Sequence, residues 1–289
     1  MIENRSKNKN KQTRRIVSAS RRTDIPAFQG KKFFRAVTRG QINVPNPFSG
    51  KLYTVSLRPE DVGAIVFWSR NYNPFFPVLD KIRNVYNDRF LFHFTITGYQ
   101  AEAKQILEPN CPDIKQAITC LKKLSDKFGR EKIFWRFDPV IFSELTPFSE
   151  RLEVFRKIIE KARPYFARCY FSFIDIYKKV ANRLHKYDKK LNLHDPELSQ
   201  LVNFSKQIKN IADEYGLPIY TCCEPEINSL TNLKKGHCVD GDYLDRIYPG
   251  ANFTDRINPT RPGCGCYDSR DIGQYDTCQY NCLYCYANK

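Results

Sequence analysis

No apolar stretch in the chain approaches the roughly 18 residues that a helix needs to cross a bilayer, which argues against a helical membrane span. The basic amino terminus is not followed by an apolar h-region, so the usual pattern of a secretory signal is missing too. These two absences lead to the expectation of a soluble, cytoplasmic protein. Acidic residues are in deficit: 31 Asp and Glu face 47 Lys and Arg, for a net charge of +16. Part of the excess sits in an Asn/Lys-rich tail, residues 1–15, where Arg5, Lys7, Lys9, Lys11, Arg14 and Arg15 stand against Glu3 alone. That tail is expected to be disordered, and it leaves +11 on the remaining body. Such a body either attracts nucleic acid or another polyanion, or carries a lysine-rich solvated surface, and charge alone leaves both open. A disulfide framework is also disfavoured, because eleven cysteines is an odd number and a cytoplasmic compartment is reducing. Metal ligation is then the better reading of the thiols.

Hydrophobic content of 42% and aromatic content of 14% over 289 residues predict a folded chain with a sizeable core. Short runs rich in β-branched and aromatic residues occur at Ile16 to Ser20, Ala64 to Trp68, Phe90 to Thr97, Ile133 to Phe137, Cys169 to Ile174 and Leu217 to Cys222. Between them, Phe75 to Tyr86, Asp113 to Phe128, Phe148 to Lys161 and Pro196 to Tyr215 carry apolar residues at helical spacing. Ile114, Ala117, Ile118, Leu121 and Leu124 form one such stripe. Alternating strands and helices imply an α/β fold with a parallel sheet, and six units predict a partial (β/α)6 TIM-like barrel over residues 16–224. Beyond Glu224 the pattern stops. Residues 225–289 are rich in Gly, Pro, Asn, Asp and Cys, a loop-rich cysteine segment organised around something other than an apolar core.

The chain closes on Cys278-Gln-Tyr-Asn-Cys282-Leu-Tyr-Cys285. Three thiolates on one short loop hold three irons of a [4Fe-4S] cube when the loop curls round a corner, leaving the fourth iron open. Cys222, Cys238, Cys264 and Cys266 are grouped as a second site, because a strand end fixes the first and Gly265 lets the last two approach a common centre. This set suits an auxiliary cluster or a structural zinc with four cysteine ligands. Cys223 is expected to face the other way, and Cys111, Cys120 and Cys169 to be small core residues. His237, beside Cys238, is a further candidate ligand, and His93 reads as a satisfied core group.

The C-x3-C-x2-C spacing with Tyr284 before the third cysteine resembles the signature of radical S-adenosylmethionine enzymes. The opening Ser18-Ala-Ser-Arg21-Arg22-Thr23-Asp24-Ile-Pro26-Ala-Phe28 and the closing Cys264-Gly-Cys266, Asp271-Ile-Gly273-Gln-Tyr275-Asp-Thr-Cys278 and Cys285-Tyr-Ala-Asn288 resemble an uncharacterised bacterial family, over nearly the whole chain beyond residue 15. Members of that family carry a carboxyl-terminal cysteine cluster similar to the amino-terminal one of radical SAM proteins. The Leu-Tyr-Cys-Tyr-Ala ending is also similar, over about ten residues, to the cluster loop of spore photoproduct lyase. The resemblance implies a radical-SAM-like enzyme that binds S-adenosylmethionine at its cluster and draws electrons from a donor such as ferredoxin or flavodoxin. The usual order is reversed here, with the cluster loop after the barrel, and no clear glycine-rich SAM-binding motif follows the second strand.

Ligand sites of β/α folds collect at the carboxyl ends of the strands. Those ends carry Arg21, Arg22 and Asp24 after the first strand, Ser69, Arg70 and Asn71 after the second, and Arg136 and Asp138 at the fourth, with Asp175 and Glu224 beyond. Four guanidinium groups suit an anionic or zwitterionic substrate, and Arg21, Arg22, Asp24, Arg70, Arg136 and Asp138 are the candidate catalytic set. Two classes compete: an enzyme starting radical chemistry, with nucleic acid or another anion as its substrate, and an iron-sulfur electron carrier or redox sensor; a hydrolase or binding protein with a structural four-cysteine metal site is a further alternative. A β/α body of some 210 residues favours the enzyme, since a carrier needs little beyond the cysteine segment.

Overall fold

Eight parallel strands form one open sheet, whose inner six follow the order of the chain. The computed structural model describes residues 13–253 and 256–288. Residues 1–12 of the basic tail lie outside it, while Arg15, which the sequence reading put in the tail, opens the first strand. In chain order the strands are β1 (Arg15–Ala19), β2 (Gln41–Pro45), β3 (Leu52–Ser56), β4 (Val62–Ser69), β5 (Phe90–Thr95), β6 (Ile133–Val140), β7 (Arg168–Phe173), β8 (Ile219–Thr221), β9 (Lys234–Lys235) and β10 (Ser269–Asp271). The large sheet runs β10-β1-β4-β5-β6-β7-β8-β9, and β2 and β3 pair apart from it as an antiparallel hairpin.

The six strand-forming runs of the sequence are β1 and β4 to β8, so the α/β parallel sheet is as expected, but the barrel is not. β10 and β9 end the sheet on opposite sides and do not pair with one another. The reason lies in the segment after β8. It supplies both edge strands, and it also packs Val239, Tyr243, Leu244 and Tyr267 against the Ile16, Ala64, Val66, Leu91, Phe134 and Tyr170 face of the sheet. A sheet whose inner face is already covered by polypeptide has no need to curl onto itself.

The opposite face, with Val17, Ile65, Phe67, Phe92, Trp135 and Phe171, meets the helices. Coverage on both faces explains why β4 is buried along nearly its whole length instead of alternating, as parallel strands do. Each fully buried Phe, Leu or Ile contributes about 1.5–3 kcal/mol, so this double-sided burial is the main source of stability. The helix Ile114–Phe128 shows how local chemistry sets an element: Asp113 accepts from the Gln116 amide at 2.7 Å while Gln116 accepts from the Asp113 amide at 3.0 Å, a reciprocal cap. The chain then leaves at Gly129, where φ is 85°. Among the described residues no helix is long and apolar enough to cross a membrane.

Candidate functional site

The carboxyl ends of the strands gather two groups of functional side chains, with the terminal loop laid across them. At the end of β1 the organiser is Asp271, a residue the sequence reading did not select. Its carboxylate accepts from Ser18 Oγ at 3.0 Å, Ser20 Oγ at 2.7 Å, the Arg21 amide at 2.8 Å and the Gly273 amide at 2.9 Å. Arg21 donates from Nη2 to Ser269 Oγ at 2.9 Å, and its Nε lies 3.6 Å from Asp271. The Nη1 atoms of Arg21 and Arg22 are buried and have no hydrogen-bond partner among the described residues.

The first group joins Asp24, Ser69 and Arg70 to the terminal loop. Asp24 accepts from the Ala27 amide at 2.9 Å, from Ser69 Oγ at 2.9 Å and from the Arg70 amide at 3.0 Å, and Asn71 shapes the following turn. Arg70 is neutralised by Glu108 at 2.9 Å, and both touch the Tyr284 hydroxyl. Cys282 lies 3.5 Å, sulfur to sulfur, from Cys111, and the Leu283 amide donates to the Leu107 carbonyl at 2.9 Å. The loop is therefore packed as an apolar and hydrogen-bonded strap.

Burial raises the Asp24 carboxyl to about 6 from its ordinary 3.8, more than its three donors hold it down. A carboxyl raised in the native state binds its proton more tightly than in the unfolded chain, so its contribution is greatest below pH 4 and is lost as pH climbs toward 6. The stability difference between wild type and Asp24→Asn is expected to shift by on the order of 2–3 kcal/mol across that window, in favour of the variant at the higher pH. Urea midpoints at pH 4, 5 and 6 measure it; a difference independent of pH would show that Asp24 titrates normally.

The second group is a ring of thiols beside Arg136. Cys238 Sγ receives a hydrogen bond from Arg136 Nη1 at 3.0 Å and lies 3.3 Å from Cys222 Sγ. Arg136 also binds Asp138, which accepts from Ser172 Oγ. Cys264 accepts from the Cys266 amide at 3.4 Å and from Thr260 Oγ1 at 3.6 Å, and Cys266 accepts from the Val239 amide at 3.5 Å. The Cys223 thiol meets both Cys222 and Cys264, because a φ of 65° turns it toward the cluster and not away from it. Hydrogen bonds from the Cys222 and Cys266 thiols, assisted by Arg136, hold Cys238 well below the ordinary thiol range against the opposing effect of burial. Cys264 is lowered too, first by the Cys223 thiol, whereas Cys222 and Cys266, as the donors, are raised. Burial opposes the Arg136 charge, but Asp138 and Cys238 outweigh it and keep the guanidinium protonated.

Around this ring, His93 is buried, stacks on Trp68 with ring centroids 4.0 Å apart, and sits with Nε2 2.7 Å from the Cys238 carbonyl. Burial lowers it to about 3, so it is a neutral donor that fixes the Cys238 backbone. Glu224 accepts from the Phe173 amide at 2.8 Å, and burial lifts it to about 7. Asp175 is drawn away to an exposed pair with Arg261, and His237 turns its Nδ1 to the Gly265 carbonyl, not to a thiol.

The metal readings do not survive this geometry. Among the described residues, no group of three or more His, Cys, Asp or Glu side chains is placed to hold a metal ion. In the terminal loop Cys282 faces Cys111, a residue read as simple core, instead of sharing a corner with Cys278 and Cys285. Sulfurs in direct contact leave no room for a cube between Cys222 and Cys238. They are also closer than the about 3.8 Å that tetrahedral zinc with bonds of about 2.3 Å imposes. The terminal [4Fe-4S] cluster, the auxiliary cluster and the four-cysteine zinc site are thus corrected. With them go S-adenosylmethionine at an open iron, the radical-SAM-like enzyme, the iron-sulfur carrier or sensor, and the likeness of the terminal cysteines to a radical SAM loop.

Glu108 had no signal in the sequence, and Asp271 stood only within the stretch that carries the family resemblance, since each acts on an arginine far away in the chain. Cys111 was visible only as an isolated thiol. The model of one protein family, described as a domain of unknown function (DUF1848), matches residues 16–287. No curated protein matches the chain.

Proposed function

The chain belongs to the DUF1848 family, and from the geometry of its thiols we propose that it is a thiol-based redox protein whose reacting pair is Cys238 and Cys222. One observation carries this reading: the Cys238 sulfur sits 3.0 Å from Arg136 Nη1 and 3.3 Å from the Cys222 sulfur. The guanidinium favours the thiolate, which is the nucleophilic form, and Cys222 stands ready as the resolving thiol.

Cys238 is only 5% exposed, which suits a small hydroperoxide better than a bulky disulfide. The Cys238 thiolate attacks the near peroxide oxygen, the O–O bond breaks, and the leaving alkoxide or hydroxide takes a proton from the Cys266 thiol. Cys238 becomes a sulfenic acid, having given up two electrons. Cys222 then attacks that sulfur, the hydroxyl group leaves with a proton as water, and a Cys222–Cys238 disulfide remains. In sum, the Cys238 thiolate, the Cys222 and Cys266 thiols and one hydroperoxide give one disulfide, a Cys266 thiolate, one alcohol or water from the leaving oxygen, and one water; Cys266 then regains a proton from solvent. The sulfurs need to close by about 1.3 Å to reach the S–S bond length of about 2.0 Å.

Reduced protein treated with one equivalent of hydrogen peroxide should lose two free thiols per chain, and peptide mapping should recover a Cys222–Cys238 link. Cys222→Ser should stop at a sulfenic acid on Cys238 that dimedone traps. Retention of all eleven thiols, or oxidation that maps to other cysteines while Cys238 stays reduced, would overturn the proposal.

A further inference from the structure

We propose that the face formed by residues 176–190, together with Tyr286 of the terminal loop, binds single-stranded nucleic acid. This segment holds six Lys and Arg against one acidic residue, Asp188. Asp188 is engaged by His185, at 2.5 Å. Lys178, Lys179, Lys186 and Lys189 are all exposed, and no ion pair among the described residues engages any of them. Cationic side chains gathered without counter-charges of their own complement a phosphate backbone.

Aromatic rings are interleaved with these charges. Tyr177 and Tyr286 are each 43% exposed, and their ring centroids lie 6.3 Å apart at a tilt of 55°. Half-exposed tyrosines flanked by lysines offer the faces on which unpaired bases stack, and stacking of this kind is indifferent to base identity. Lys179 Nζ lies 5.9 Å from the Tyr275 ring, with the Arg22 guanidinium 5.6 Å from the same ring, so the positive potential continues toward the strand ends. A bilayer surface is a poorer partner. The helix Lys178–Leu184 has only seven residues and already spends Val180 and Leu184 on the core, which leaves it no apolar face to insert. A duplex hides its base faces, so it would meet the lysines but not the rings.

The test is fluorescence anisotropy of a labelled oligothymidylate with the full chain, at several salt concentrations. Changing Lys178, Lys179, Lys186 and Lys189 to Ala should weaken binding at least about tenfold. It should also reduce the slope of log affinity against log salt by about 3, at roughly 0.7 per phosphate contact on a single strand. The basic residues 1–12 are present in both proteins, so the difference belongs to the face. Tyr177→Ala with Tyr286→Ala should cost at least about fivefold, the lower limit for one stacked base. All these positions are exposed, but the Tyr286 hydroxyl also donates to the Arg21 carbonyl at 2.6 Å, so Tyr286→Phe, which loses that bond and keeps the ring, is the control and should bind like wild type. Three outcomes overturn the proposal. The lysine variant binds as tightly as wild type; a duplex or heparin binds as tightly as the single strand and ignores the tyrosine changes; or vesicles of phosphatidylcholine with phosphatidylserine capture the protein through these lysines while the oligonucleotide does not.

Discussion

Replacing Asp271 with alanine is expected to cost the fold about 4 kcal/mol, among the largest effects available from one side chain here. The carboxylate is only 8% exposed and accepts from two hydroxyls and from the Arg21 and Gly273 amides, all within 3.0 Å. Hydroxyls can rotate toward other acceptors, but the two amides cannot, and each buried orphan costs about 1–3 kcal/mol. Arg21 also loses the counter-charge at 3.6 Å. Asp271→Asn keeps the shape and one acceptor oxygen and should cost about half as much. Urea denaturation of the three proteins provides the comparison. A loss under about 1 kcal/mol for the alanine variant would mean that backbone pairing alone holds β10 to β1.

Gly236→Ala is expected to act on both stability and thiol chemistry. A Cβ there would stand 2.6 Å from the Thr221 carbonyl oxygen and 2.6 Å from the ring of Tyr170. Neither neighbour can give way easily. The Thr221 carbonyl already accepts from the Gly236 amide at 2.7 Å, and the fully buried Tyr170 donates its hydroxyl to the His237 carbonyl at 3.0 Å. Relief requires moving the chain that carries Cys238 away from the strand end that carries Cys222. A loss of about 3 kcal/mol, or a melting temperature lower by about 6–10 °C, should accompany failure to form the peroxide-driven disulfide. A variant that melts normally and still forms the link would show that the two sulfurs do not depend on this close approach.

The inner strands were legible because β-branched and aromatic runs as short as Ala64 to Trp68 and Ile133 to Phe137 have few other uses. The edge strands were not, since Lys234–Lys235 and Ser269–Asp271 are short and polar and become strands only by pairing. The hairpin was missed although Ile42, Val44 and Val55 are buried along it, because its other positions are polar or half-exposed. Arg21, Arg70 and Arg136 do lie at the strand ends, but the sequence did not announce what binds them: Asp271 lies 250 residues from Arg21. Cysteine spacing misled for a related reason. It measures how far thiols lie apart along the chain and says nothing of where each one points, and Cys282 points to a partner 171 residues away. The inward turn of Cys223 likewise depends on a positive φ that the sequence does not announce.

The placement of β9 and β10 bears on how the protein is made. Both flanks of the sheet come from residues beyond 233, so a ribosome releases the six inner strands in order while the outer sides of β1 and β8 still lack their neighbours. Before Lys234 has emerged, the nascent chain displays two unpaired strand margins and an uncovered row of Ile16, Val66, Leu91 and Phe134; β9 then pairs with β8, and the outer side of β1 waits for β10. A chain truncated between β8 and β10 is therefore expected to keep an open strand margin at which other chains can pair.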